Sequence, residues 1–136
     1  MSKEGTLKGK IVLAVDDEQD TIDTIEEVLD MCIVDKAYDY NEASQFLLSY
    51  TYDFVVLDIM GVNGFELLKI ATARGFPTVI LTANSVTQDA QKKSIQLGAI
   101  SFLPKEKMHE LVGLLEDVIS SRGESREHKT SDQLDS

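Results

Sequence analysis

Five short apolar runs, rich in β-branched residues, recur along the chain between segments whose apolar residues fall at helical spacing. Ile11–Val15 is continuous and apolar with no polar alternation, which suits a strand covered on both faces. Residues 54–57 (Phe-Val-Val-Leu) and 78–81 (Thr-Val-Ile-Leu) repeat that pattern, and Ile33–Ala37 and 99–103 are weaker versions of it. Between them, Ile22, Ile25 and Leu29 share one helical face, as do Ala43, Phe46, Leu47 and Tyr50. Met108, Leu111, Leu115 and Val118 form the cleanest stripe. In the segment 86–97 only Val86, Ala90 and Leu97 line up. A helix that buries so little is either marginal or kept free for another role. Asn63 with Glu66, and Ser85 with Gln88, have the spacing of reciprocal helix caps, while Gly75 and Gly98 mark helix ends.

Strands joined by helix-length crossovers imply parallel pairing, hence an α/β fold with a doubly wound sheet and helices on both faces. In such sheets ligands bind beyond the carboxyl ends of the strands, where the strand order reverses. Chemistry is therefore to be sought in the residues just after each strand.

Composition narrows the classes. The 136 residues fit one domain, and an apolar content of 43% is enough to build its core. One folded domain over 10–121 is expected, with 1–9 an N-terminal extension and 122–136 a polar, mobile tail. No apolar run is long enough to span a membrane, and the polar N-terminus lacks a secretory core, so a cytoplasmic protein is expected. Cys32 is the single cysteine, which excludes an internal disulfide or a thiolate metal site; in its apolar stretch it reads as a small hydrophobe. His109 and His128 read as solvated side chains. The net charge of −11, with no basic stripe, argues against direct nucleic-acid binding.

Part of that negative charge lies where it matters. The first strand runs into Asp16-Asp17, the third into Asp58, the fourth into Thr82 and the fifth into Lys105. Singly these are ordinary: a solvated acidic loop, a turn residue, a surface lysine. Together they gather three carboxylates, a hydroxyl and an ammonium at one sheet edge. Clustered carboxylates repel, and a hard divalent cation such as Mg²⁺ is the natural compensator. Such a site suits phosphoryl transfer, which needs positioning and charge neutralisation above all. Asp58 would be the nucleophile, Lys105 would neutralise charge on the transferred group, and the Thr82 hydroxyl would donate to a phosphoryl oxygen.

The segments Leu13–Glu18 (LAVDDE), 52–60 (YDFVVLDIM), 79–84 (VILTAN) and 98–106 (GAISFLPKE) resemble, in order and spacing, the receiver domains of two-component response regulators. The resemblance spans roughly residues 10–120 and implies a flavodoxin-like receiver fold with five strands in the order 2-1-3-4-5 and five helices. It implies that Asp58 is the phosphoacceptor and that Asp17 binds Mg²⁺ directly, Asp16 through a water, with the Met60 carbonyl as a further ligand. Thr82 and Phe102 would form the switch pair and Lys105 would bind phosphate. The implied partners are a sensor histidine kinase or histidine phosphotransfer protein, and an output protein at the face of helix 4, strand 5 and helix 5. A weak dimer through that face is a further expectation. Such a domain is no enzyme beyond its own phosphorylation and dephosphorylation. Two departures stand out: the loop 59–64 is short and lacks proline, and Lys105 is flanked by Pro104 and by Glu106, which could compete for its charge. They leave an alternative reading, a receiver-like interaction scaffold that does not cycle phosphate. A small hydrolase or flavin-binding protein on the same fold is disfavoured, because no hydroxyl-rich phosphate cradle and no second catalytic acid are present.

Overall fold

A computed structural model describes residues 4–83 and 86–121. Asn84, Ser85 and the expected tail 122–136, with His128, lie outside the described residues. A single-turn helix α1 (Glu4–Leu7) precedes β1 (Ile11–Val15), α2 (Gln19–Val28), β2 (Ile33–Ala37), α3 (Tyr40–Ser49) and β3 (Phe54–Asp58). There follow α4 (Gly64–Ala73), β4 (Thr78–Thr82), α5 (Gln88–Gln96) and β5 (Ser101–Pro104). A 3₁₀ stretch (Lys105–Glu110) then leads into α6 over residues 111–121. All strand pairs are parallel, in the order β2-β1-β3-β4-β5, as expected. Among the described residues no helix is long and apolar enough to cross a membrane.

The unbroken apolar runs are explained by burial on two sides. β3 and β4 are buried at every position, and β1 at all but its first. Alternate residues feed two cores. Leu13, Val15, Val55, Leu57 and Ile80 pack with Ala43 and Leu47 of α3 and Leu67, Leu68 and Ala71 of α4. Val12, Ala14, Val56, Val79 and Leu81 pack on the other face with Ile22 and Ile25 of α2 and Leu111 and Leu115 of α6. Leu7 of α1 is also fully buried in this second core, so the expected extension contributes to the core. The edge strands β2 and β5 are only partly covered, which is why their runs are weaker.

Three local expectations need correction. Asn63 stands at the N-cap of α4, but in the left-handed region (φ 56°, ψ 52°), where its side chain makes no cap hydrogen bond. A capping side chain needs an extended backbone at that position; here the Asn63 carbonyl accepts from the Glu66 N–H, and the Glu66 carboxylate pairs with Lys69. The cap of α5 is Thr87, whose hydroxyl accepts from the Ala90 N–H, in place of Ser85. Tyr50 ends α3 exposed rather than on its buried face. Gly75 (φ 80°) and Gly98 (φ 111°) do end helices, in the left-handed conformation that favours glycine. As its sparse stripe foretold, α5 buries little, with Ser94 its one buried residue.

Candidate functional site

Strand register builds the site. Val15 pairs with Leu57, so Asp16, one residue past β1, comes beside Asp58 at the end of β3. Asp58 pairs with Leu81, and Thr82 with Pro104, which delivers Lys105 next in the chain. Since β1 lies between β2 and β3, these ends meet where the strand order reverses.

Asp16, Asp58 and Thr82 are buried, whereas Asp17 is exposed. The Lys105 ammonium lies 3.0 Å from Asp16 Oδ2, 3.1 Å from Glu18 Oε1 and 3.7 Å from Asp58 Oδ1. Glu106, the expected competitor, is not among its partners; that part falls to Glu18. The Asp58 carboxylate also accepts from the backbone N–H groups of Met60 (3.4 Å) and Gly61 (3.2 Å). The short loop thus folds back over the end of β3. Within it Ile59 and Val62 are buried, and the Gly64 N–H reaches the Ile59 carbonyl. The Met60 side chain is exposed, and Phe102, within β5, is 40% exposed.

Burial pushes the Asp16 carboxyl up to about 6, and the charge of Asp58 adds to the rise. The Glu18 N–H and Lys105 pull the other way without cancelling it. For Lys105, burial works against the charged form, but the carboxylates of Asp16, Glu18 and Asp58 outweigh it and raise its pKa.

Asp16 Oδ2 is buried and, the approach of the ammonium apart, has no hydrogen-bond partner among the described residues. Asp16, Asp17 and Glu18 each offer an oxygen, all within 4.8 Å of one another. An all-oxygen donor set whose buried Asp16 Oδ2 is met only by the Lys105 ammonium fits a hard divalent cation. Of the residues singled out from the sequence, Asp16, Asp58 and Lys105 come together directly. Asp17 joins through Glu18 and the adjacent loop. Glu18 was missed as a partner of Lys105, although its place directly after the Asp pair was a signal.

The chain matches the response regulator receiver domain family over residues 12–116. It is 33% identical over 99 residues to the response regulator ArlR of Staphylococcus aureus, a match covering 69% of this chain and 45% of that protein. The chain thus spans about half the length of the curated relatives it matches. The receiver domain of the Francisella response regulator 1452 superposes with a TM-score of 0.68 at 22% identity, covering 82% of this chain and 99% of that one. NtrX from Brucella abortus gives 0.73 at 22% identity, over 92% of this chain and 29% of that one. With the matched span covering both Asp pair and Lys105, this chain belongs to the receiver-domain family of two-component response regulators.

Proposed function

We propose that this chain is a phosphorylation-dependent signalling switch that accepts a phosphoryl group on Asp58, in the cytoplasm, from a sensor histidine kinase or histidine phosphotransfer protein. The observation that carries this reading is the Lys105 ammonium seated between the buried carboxylates of Asp16 and Asp58. An Asp58 oxygen bonds to phosphorus as the bond from phosphorus to the donor imidazole nitrogen breaks, and the imidazole keeps the electron pair. The Met60 and Gly61 N–H groups hold the Asp58 carboxylate in a fixed orientation for that attack. Lys105 stays within reach of the transferred group and offsets its charge. Thr82, at the end of the neighbouring strand, supplies a hydroxyl to a phosphoryl oxygen. When bound, Mg²⁺ adds positive charge against the phosphoryl oxygens, held by Asp16, Asp17 and Asp58 and by the Met60 carbonyl. Movement of Thr82 toward the phosphoryl group leaves space for Phe102 to turn inward. That changes the face of α5, β5 and α6 offered to an output protein.

The test is phosphate incorporation in the presence of Mg²⁺, from a small-molecule phosphodonor and from phosphohistidine proteins, for wild type and Asp58→Asn. An acid-stable, alkali-labile label on wild type alone is the expected result. Absence of label from every donor on a folded wild type would overturn the reading in favour of a phosphate-independent interaction scaffold.

A further inference from the structure

The short loop after β3 contains two glycines near the site, and the space around them differs in kind. A Cβ on Gly64 would lie 2.5 Å from the Ile59 Cα, 2.6 Å from its carbonyl oxygen and 2.7 Å from that of Asp58. Those are backbone atoms, so glycine at 64 is a condition of the loop's path. A Cβ on Gly61 would meet something else: Asp17 Oδ1 at 2.7 Å, with Cγ and Oδ2 at 2.8 Å. Its nearest obstruction is therefore the carboxylate of one exposed side chain, approached across its whole face. Gly61 is not in the left-handed region either, as Gly9, Gly75 and Gly98 are. Its φ therefore does not demand glycine, and the three atoms nearest the added Cβ all belong to the Asp17 carboxylate rather than to backbone.

Gly61 also touches both halves of the site. Its N–H donates to Asp58 Oδ2 at 3.2 Å, while its α-carbon faces Asp17. A side chain at 61 would leave the hydrogen bond in place and drive the Asp17 carboxylate away by rotation about its own side-chain bonds. Such a rotation is cheap for the fold, because Asp17 is exposed. It is costly for any ligand that needs Asp17 and Asp58 together.

We infer that Gly61 is a positioning residue for the cation site: the absence of a side chain at 61 allows the Asp17 carboxylate to lie against the loop whose N–H groups hold Asp58. The inference rests on the Mg²⁺-dependent reading above and assigns one determinant of its affinity. Residues that orient a metal ligand without touching the metal typically account for about 10- to 100-fold in affinity.

The experiment is calorimetric titration with Mg²⁺, without phosphodonor, of wild type, Gly61→Ala, Asp17→Ala and the double variant, each checked by thermal unfolding. Gly61→Ala is expected to unfold near the wild-type temperature while binding Mg²⁺ about tenfold or more weakly. In the Asp17→Ala background the same change is expected to have less than about a twofold further effect, because the group it displaces is gone. Equal affinity in wild type and Gly61→Ala would overturn the inference, as would a full further loss in the Asp17→Ala background. Failure of Gly61→Ala to fold when the double variant also fails would overturn it too, since the obstruction would then not be Asp17. Rescue of folding by Asp17→Ala would support it. A folded wild type that takes up no Mg²⁺ would instead remove the cation-dependent reading itself, and this inference with it.

Discussion

At Asp16 burial and ion pairing oppose one another. This residue is fully buried, and the one group that meets its Oδ2 among the described residues is the Lys105 ammonium at 3.0 Å. Burial prevails, lifting its pKa from 3.8 to about 6. The folded state therefore binds this proton more tightly than the unfolded chain does. The stability tied to the protonated form is present below about pH 4, is lost as the pH rises to about 6, and stays lost above it. Metal-free Asp16→Asn is accordingly expected to be more stable than wild type near pH 7.5, by up to about 3 kcal/mol, with the difference shrinking toward pH 4. Urea unfolding of both proteins in chelator at the two pH values checks this. A difference that grew on acidification would contradict the account. The same change is expected to abolish the benefit wild type gains from added Mg²⁺.

At the level of elements, the loop between β3 and α4 shows how tightly five residues can return a chain. Gly64 N–H closes on the Ile59 carbonyl at 3.2 Å, and Ile59 and Val62 turn inward as anchors. Gly64→Ala has no flexible neighbour to displace, so it is expected to cost about 2–4 kcal/mol, read as a lowered urea midpoint. Element boundaries also show what could be read from the chain. β1, β3 and β4 were legible because burial on both faces forces a continuous apolar run. β5 was expected at 99–103 and is found at Ser101–Pro104. Ala99 is drawn instead into the end of α5, where its N–H reaches the Ser94 carbonyl, and Pro104 is tolerated because β5 is an edge strand. The Asn63 cap failed for a similar reason. Spacing shows which side chains can reach a helix end, but not the left-handed backbone that turns Asn63 away. Strand ends carried Asp16, Asp58, Thr82 and Lys105 to one edge, as their positions implied. The Glu18–Lys105 pair joins residues 87 apart across two loops, and the approach of Gly61 to Asp17 is another loop-to-loop contact. No local periodicity encodes either.

For the whole molecule, the two cores on opposite faces of one sheet make the position of the site a consequence of packing. The ends of β1 and β3 are held from both sides, so the carboxylates they carry have little freedom to separate. The second core has a contributor well outside the strands: Leu7 is fully buried, with the Gly9 N–H tied to the Met31 carbonyl and the Cys32 thiol facing the Leu7 carbonyl at 3.5 Å. Leu7→Ala is expected to cost about 3 kcal/mol, visible in urea unfolding with an unchanged slope. The unit defined by kinship and the unit that folds are therefore not the same. Family likeness begins at residue 12, yet a protein trimmed to that boundary would lack the leucine that completes the core between the sheet, α2 and α6. It would carry every reacting group and still leave part of the second core uncovered, at the opposite end of the strands from the chemistry.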